Sequence, residues 1–276
     1  MRVGFITQLL WSRYGEFWTK LVSGAGLEPI YAADDAVRRA LNDPRLERVP
    51  GTAFRLAAAQ ALALGADADV IFAPELNPGE SATRGGGQDA FIAHFPEALA
   101  TTLVGLPPVI GVPASLSEPG LEGLVVSTLL NLTHDAGLVR RVWERGRGAA
   151  KAPRLPDPKW RVRPSEGGTV GVVGQPWLLG DALVRRAAGD VHTVSQHQLD
   201  PALLREEGRR LDSRLVGTDT EVLGAARFLG RKGNVERLLM IADETSGTDM
   251  WLVTQVERAA HKPLSIVYIQ RLGESP

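Results

Sequence analysis

Residues 238–250 read LLMIADETSGTDM, and this stretch decides the fold. An apolar run ends at two carboxylates, Asp243 and Glu244, and a short turn follows. Thr248 and Asp249 then begin a helical pattern, so the stretch has the form of a strand, a tight turn and a helix. In parallel α/β proteins ligands bind at such junctions, because the carboxyl ends of the strands border a crevice. The sequence therefore predicts an α/β fold with a candidate site here.

The same alternation of strand and helix runs through the N-terminal half. Short apolar runs predict strands over residues 3–9, 27–31, 70–73 and 108–112. Helical patterns lie between and after them, over residues 14–24, 52–64, 90–104 and 121–145. Strands separated by helices imply a parallel sheet with right-handed crossovers.

The C-terminal half repeats the strand motifs of the N-terminal half in the same order. VGFITQ at residues 3–8 aligns with VGVVGQ at 170–175, and VIFAPE at 70–75 aligns with LMIADE at 239–244. Further strands are expected near residues 191–195 and 264–269, and helices near 178–188, 221–229 and 248–260. We predict two Rossmann-like domains related by an internal repeat, each a short, mainly parallel four-stranded sheet flanked by helices. The alternative is coincidence between buried strands.

A change of composition separates the two predicted domains. Residues 146–168 contain four prolines and many basic residues, a composition that disfavours regular structure and is typical of a linker. The predicted domains are residues 1–145, which include the helical stretch 121–145, and residues 169–276. The basic residues also suit nucleic acid, but aromatic residues are few among them, so a solvated linker is favoured.

Composition narrows the function. An apolar content of 44% is that of a globular protein with a core, and a net charge of -1 gives no reason to expect nucleic acid. With no cysteine, the chain has no disulfide, no cysteine nucleophile and no cysteine-held iron–sulfur cluster. No apolar run reaches the ~18 residues of a membrane-spanning helix. The N-terminal run is interpreted as a strand rather than a signal peptide, and a cytoplasmic location is expected.

The candidate site residues follow the predicted strands, where two domains of this kind often face a shared cleft. For ligand binding they are Gln8, Trp11, Arg13, Tyr14, Gln175, Trp177, Asp181, Thr245, Ser246, Gly247 and Thr248. Glu75, Glu244 and Asp249 are the candidates for catalysis. Glu75 and Glu244 could act as paired acids with separated pKa values. The alternative is that each caps a helix or meets an arginine.

Other chemistries have weaker signals. The hydroxyls and N–H groups of residues 245–248 suit a phosphate or carboxylate, although ordinary helix capping explains the same residues. GVVG at 171–174 is not a dinucleotide motif, and no phosphate-binding lysine loop occurs. His192 and His197 lack a third partner for a metal. Arg84, followed by three glycines, could belong to a closing loop or to a plain surface loop.

Three motifs resemble those of a known family. RYGEFW at 13–18, followed by LEPI at 27–30, resembles an opening strand and aromatic helix, and VVGQPW at 172–177 with Asp181 resembles the start of a second α/β domain. SGTD at 246–249 occupies the place of a Cys-Gly-Pro-Asp motif. The family is the 2-hydroxyacyl-CoA dehydratase D-component, which includes 2-hydroxyglutaryl-CoA dehydratase and benzoyl-CoA reductase subunits. The resemblance implies two α/β domains around a cleft.

The sequence departs from that family at the residues that define its chemistry. Family members hold an iron–sulfur cluster with three cysteines and receive an electron from an ATP-driven activase. The matching positions here are Gly51 or Thr52, Phe95 and Ser246, none of which supplies a thiolate. The resemblance thus implies the fold and the cleft without the cluster, and an activase partner has no evident purpose.

Two functions from different classes remain. The first is a non-catalytic protein that binds a small anionic or acyl-CoA-type ligand, or that docks a partner, either a second copy of itself or a paralogous subunit. The second is an iron-independent lyase or hydrolase that uses Glu75, Glu244 or Asp249 as acid and base. Neither membrane nor nucleic acid is an expected partner.

Overall fold

The computed structural model describes residues 1–76, 90–117, 120–150 and 168–273. These residues divide into two compact units, an N-terminal one that extends to residue 150 and a C-terminal one that begins at residue 168. The glycine-rich segment around Arg84 and residues 151–167 of the expected linker lie outside the described residues.

The N-terminal unit contains a parallel sheet in the order β2-β1-β3-β4. Its strands are β1 (Arg2–Phe5), β2 (Glu28–Tyr31), β3 (Val70–Glu75) and β4 (Val109–Pro113). Its helices are α1 (Trp11–Gly24), α2 (Asp34–Ala40), α3 (Thr52–Leu64), α4 (Ala90–Ala93), α5 (Phe95–Thr102), α6 (Leu121–Thr133) and α7 (Ala136–Gly146). Short 3₁₀ turns occupy Pro44–Leu46 and Arg147–Ala150.

The C-terminal unit contains a second parallel sheet, in the order β6-β5-β7-β8. Its strands are β5 (Thr169–Gly174), β6 (Thr193–Ser195), β7 (Val235–Ala242) and β8 (Leu264–Tyr268). Its helices are α8 (Asp181–Ala188), α9 (Pro201–Arg209), α10 (Gly217–Gly230) and α11 (Gly247–Ala259). Three 3₁₀ turns occupy Pro176–Leu178, Gln196–Gln198 and Ile269–Gly273.

The two sheets have the same strand order, which confirms the predicted pair of Rossmann-like units. In each unit the first strand lies between the second and the third, and the fourth is at the far edge. The strands with matching sequences, β1 and β5, occupy the same central position. Helices follow the strands as the alternating pattern predicts.

Apolar side chains cover both faces of the C-terminal sheet, as a parallel sheet requires. Val173 and Met240 belong to a cluster with residues of α9, α10 and α11. Val172 and Ile241 face the other way and pack with residues of α8. Helices α9 and α10 approach so closely that a Cβ on Gly224 would overlap the carbonyl group of Leu204.

Several predicted boundaries are wrong, for local reasons. The helical stretch 121–145 is two helices, because His134 has a φ of 54° and the Asp135 side chain accepts the N–H of Leu138 (2.8 Å) to start α7. The apolar side chain of Leu124, within that stretch, is 40% exposed. The strand predicted over 3–9 ends at Phe5.

Candidate functional site

Glu75 ends β3 at the carboxyl edge of the N-terminal sheet, where the sequence predicts a site. Its side chain lies along the backbone of Gly111 in the neighbouring strand β4, and a Cβ on Gly111 would overlap the Glu75 carboxyl group. The glycine therefore makes the room that this carboxyl occupies.

The surroundings of Glu75 favour its neutral form. Burial raises the pKa of the Glu75 carboxyl, and the charge of Glu97 on α5 raises it further. Among the described residues, no side chain or N–H group donates a hydrogen bond to this carboxyl, and no cation pairs with it. Glu75 is thus a half-buried acid without an ion-pair or hydrogen-bond partner among the described residues.

The β1–α1 junction is held by a residue that the sequence did not single out. The Oε1 atom of Gln60 on α3 accepts the N–H groups of Thr7 (2.9 Å) and Gln8 (3.2 Å). Its Nε2 atom donates to the Thr7 hydroxyl (2.8 Å). Leu9 and Leu10 follow with φ angles of 60° and 70°, which are costly for residues with a Cβ.

The aromatic candidates at this junction serve the packing of α1. Trp11 is half-buried and its ring covers Gly15, where a Cβ would overlap the indole. Tyr14 is fully enclosed, its hydroxyl donates to the carbonyl of Ile6 (3.1 Å), and burial raises its pKa. Tyr14 is therefore a core residue rather than a ligand-facing one, and Arg13 is half-buried in the first turn of α1.

Gln175 occupies the corresponding junction of the C-terminal unit, after β5. Its side chain is buried, and its Nε2 atom donates to Asp219 Oδ1 (2.6 Å) in the first turn of α10. The N–H of Gly174 donates to Gln196 Oε1 (3.3 Å), which follows β6. Sequence reasoning missed Gln196 and Asp219, although the strand-end rule applied to β6 would have found the first.

Asp181 takes part in a chain of contacts with a histidine and a serine. His197 Nε2 lies 3.3 Å from the Asp181 carboxylate, and His197 Nδ1 lies 2.9 Å from the Ser195 hydroxyl. These are the residue types of a serine-hydrolase triad. Ser195 is nonetheless only 1% exposed and belongs to a capping box with Gln198, so its hydroxyl is not presented to a substrate.

Trp177, the remaining candidate after β5, packs with the apolar cluster on the α8 side of the sheet.

The β7–α11 junction satisfies its own polar groups. Asp243 accepts hydrogen bonds from the N–H and hydroxyl groups of Thr245, and Asp249 accepts the N–H of Asp243 (2.8 Å). The Ser246 hydroxyl accepts the N–H of Asp249 (3.4 Å) and caps α11, which begins at Gly247. The arrangement is the helix capping expected as the alternative to an anion site. Asp249 is 3% exposed and stabilises this turn.

Glu244 differs sharply from Glu75. It is exposed, and it lies 3.3 Å from Arg271, while its N–H donates to Gln270 Oε1 (3.2 Å). An arginine partner is the alternative that the sequence left open for this residue. Glu75 and Glu244 also belong to different units.

The positions that the expected resemblance pairs with the cysteines of the dehydratase family all lie at helix starts. Gly51 precedes α3 and Thr52 begins it, Phe95 begins α5 as a fully buried residue, and Ser246 caps α11. Within the described ranges, no group of three or more histidine and acidic side chains is placed to hold a metal ion. No helix in those ranges is long and apolar enough to cross a membrane.

Comparison with family models, curated proteins and solved structures gave no match. The Rossmann-like assignment therefore rests on the two parallel sheets and their shared strand order.

Proposed function

We propose that this chain is a non-catalytic binding protein that holds a small acyl ligand, of the acyl-CoA type, at the carboxyl edge of its N-terminal sheet. The observation that carries the proposal is Glu75, a half-buried carboxyl without a partner among the described residues. Ligands of open parallel sheets bind at this edge.

Glu75 has the properties of a hydrogen-bond donor to the ligand. A polar group withdrawn from water without a partner costs about 1–3 kcal/mol, so a ligand that supplies the partner recovers that cost. Because burial and Glu97 raise the pKa of Glu75, the protonated carboxyl is favoured relative to an exposed glutamate. A protonated carboxyl donates to a carbonyl oxygen. The carbonyl of an acyl thioester is a suitable acceptor.

The resemblance to dehydratase subunits supports the class of ligand. That family acts on CoA thioesters, while the residues at its cysteine positions here cannot supply thiolates to a cluster. We therefore propose that the thioester is bound without radical dehydration, and that the protein needs no iron–sulfur cluster.

A second candidate function uses the same carboxyl as a catalyst. A glutamate with a raised pKa suits general acid chemistry, so an iron-independent lyase or hydrolase with Glu75 as its acid is the alternative. Glu244 and Asp249 are weaker candidates for such chemistry, since Glu244 pairs with Arg271 and Asp249 accepts a backbone hydrogen bond.

Isothermal titration with acetyl-CoA and free coenzyme A tests the proposal. We expect acetyl-CoA to bind more tightly, because only it carries the carbonyl acceptor. Glu75→Ala should weaken acetyl-CoA binding about tenfold, the value of one hydrogen bond of ~1.4 kcal/mol. Glu75→Gln keeps a donor and should retain most of the affinity.

The matched control is Glu28→Ala, which removes an exposed glutamate from the start of β2, at the opposite edge of the same sheet. The Glu28→Ala variant should bind acetyl-CoA with the affinity of the wild type. Equal affinities for Glu75→Ala and Glu28→Ala would contradict the proposal. Hydrolysis of acetyl-CoA that disappears in Glu75→Gln would replace the binding function by the enzymatic one.

A further inference from the structure

Two buried amide side chains of the C-terminal unit have no role in the function proposed for Glu75. Gln175 follows β5 and is 1% exposed, and Gln196 follows β6 and is 2% exposed. Gln175 follows Gly174 directly, and the N–H of Gly174 donates to Gln196 Oε1 (3.3 Å). This hydrogen bond brings the two amides together at the carboxyl ends of the neighbouring strands β5 and β6.

Within the described part of the chain, each amide uses only one of its two polar atoms. Gln175 donates through Nε2 to Asp219 (2.6 Å), and Gln196 accepts through Oε1 from Gly174 (3.3 Å). Gln175 Oε1 and Gln196 Nε2 are shielded from solvent and have no hydrogen-bond partner among the described residues. Buried polar atoms are nearly always paired, because each unpaired one costs about 1–3 kcal/mol. The group that satisfies this pair must donate to Gln175 and accept from Gln196.

The charges around the two amides select the kind of group. Asp219 is fully buried beside Gln175, so an anion would meet an acidic side chain in a region shielded from water. A cation would be attracted to Asp219, but it offers no acceptor to the N–H₂ group of Gln196 and would meet the amino end of the 14-residue helix α10, whose dipole is positive there. A neutral group with a donor and an acceptor on one edge avoids both costs.

We propose that the carboxyl ends of β5 and β6 form a second binding site, specific for a neutral carboxamide, lactam or urea group that bonds to Gln175 Oε1 and Gln196 Nε2. Because both atoms are enclosed, the site takes a small molecule or the terminal group of a larger one. It is independent of Glu75, which belongs to the other unit.

Nuclear magnetic resonance of the ¹⁵N-labelled full chain tests the proposal with small probes of similar size. Acetamide, 2-pyrrolidinone and urea represent the neutral class, and acetate and methylammonium represent the charged ones. We expect at least one neutral probe to shift the side-chain N–H₂ signal of Gln196 saturably. Its affinity should exceed that of acetate and of methylammonium at least tenfold.

The variant Gln196→Glu isolates the predicted donor. It keeps the oxygen that accepts from Gly174 and replaces the N–H₂ group by a second carboxyl oxygen, which accepts but does not donate when the carboxyl is ionised. The matched control is Gln198→Glu in the same turn, where the side-chain oxygen accepts the N–H of Ser195 (3.1 Å) and is likewise retained. We expect Gln196→Glu to weaken binding of the neutral probe at least tenfold, and Gln198→Glu to leave it unchanged.

Three results would overturn the proposal: equal affinity in the two variants, acetate binding as well as acetamide, or no saturable shift with any probe, which would leave a bound water as the occupant. Should Gln196→Glu fail to fold, the ranking of the five probes on the wild-type chain decides the question. Acetyl-CoA binding should be the same in Gln196→Glu as in the wild type, so this site and the Glu75 site are tested separately.

Discussion

The ends of β3 and β7 occupy the same position in their sheets, and their carboxylates have opposite surroundings. After β7, Asp243 and Asp249 accept hydrogen bonds from the turn they belong to, and Glu244 pairs with Arg271. At the end of β3, Glu75 lies against Gly111 without such a partner in the described part of the chain. The comparison shows that the fold fixes where a carboxylate stands, whereas its neighbours decide whether it stabilises the turn or remains open to a ligand.

The largest effect should come from Asp243→Ala. The variant removes the acceptor for the Thr245 N–H, the Thr245 hydroxyl and the Gln270 amide, all at a site that is 3% exposed. We expect the free energy of unfolding to fall by about 2–4 kcal/mol, measured by urea denaturation. Asp212→Ala is the control, because Asp212 also accepts a backbone N–H in a turn but is more exposed. If Asp212→Ala lowered the free energy of unfolding by as much, the β7 turn would not depend on Asp243 more than an ordinary turn depends on its aspartate.

The next effect concerns the room beside Glu75. Gly111→Ala places a Cβ on the Glu75 carboxyl group, so the side chain must move, at a cost of about 1–2 kcal/mol. In the background of Glu75→Ala the same change should cost much less, and the coupling in a double-mutant cycle measures the contact. Gly123→Ala on α6, where a Cβ meets nothing within 4 Å, is the control and should not destabilise. Equal costs in both backgrounds would show that Gly111 does not accommodate Glu75.

A smaller effect is expected from the titration of Glu75. Because its folded-state pKa is raised, the native protein binds more protons than the unfolded chain, and stability falls as pH rises through that range. Glu75→Gln should match the wild type at low pH and exceed it at neutral pH. The gain should stay below about 1 kcal/mol, since solvent screens a half-exposed group. Denaturation series across pH measure it, with Glu28→Gln, at an exposed glutamate of the same sheet, as the control. A gain at low pH instead would contradict the predicted sign.

The smallest effect should come from the surface ion pair at the end of β7. Glu244→Gln removes the charge that faces Arg271, and exposed pairs contribute about 0–1 kcal/mol. Thermal unfolding should change little, and acetyl-CoA binding should not change. Arg271→Gln removes the other member of the ion pair and should likewise leave the thermal unfolding and the acetyl-CoA affinity nearly unchanged. A loss of acetyl-CoA affinity in Glu244→Gln would instead indicate that Glu244 takes part in ligand binding.

Sequence reasoning located the strands well because buried parallel strands are continuous apolar runs. It also gave the bounds of α3, where a long alanine-rich helix leaves few alternatives. It failed for α2 and α9, which are short and largely polar and so lack a long periodic pattern. The break between α6 and α7 was missed because a single residue, His134, ends α6 with a left-handed φ of 54°.

The candidate site was likewise only partly predictable from the sequence. The positions after the strands followed from the pattern, but their partners did not. Gln60 reaches the β1–α1 junction from 53 residues away, and Asp219 meets Gln175 across 44 residues. No local pattern indicates pairs at such separations, because they meet only when the helices pack on the sheet.

The sequence by itself determined the class of fold, the duplication of the parallel unit and the absence of cysteine, since burial patterns, repeated motifs and residue types can be read along the chain. Only the tertiary structure decided that Tyr14 belongs to the core, that Glu244 pairs with Arg271 and that Glu75 lies against a glycine without a partner among the described residues. The physical reason is that the protonation and role of an acid depend on its burial and on the charges nearby, and packing brings these together from distant parts of the chain.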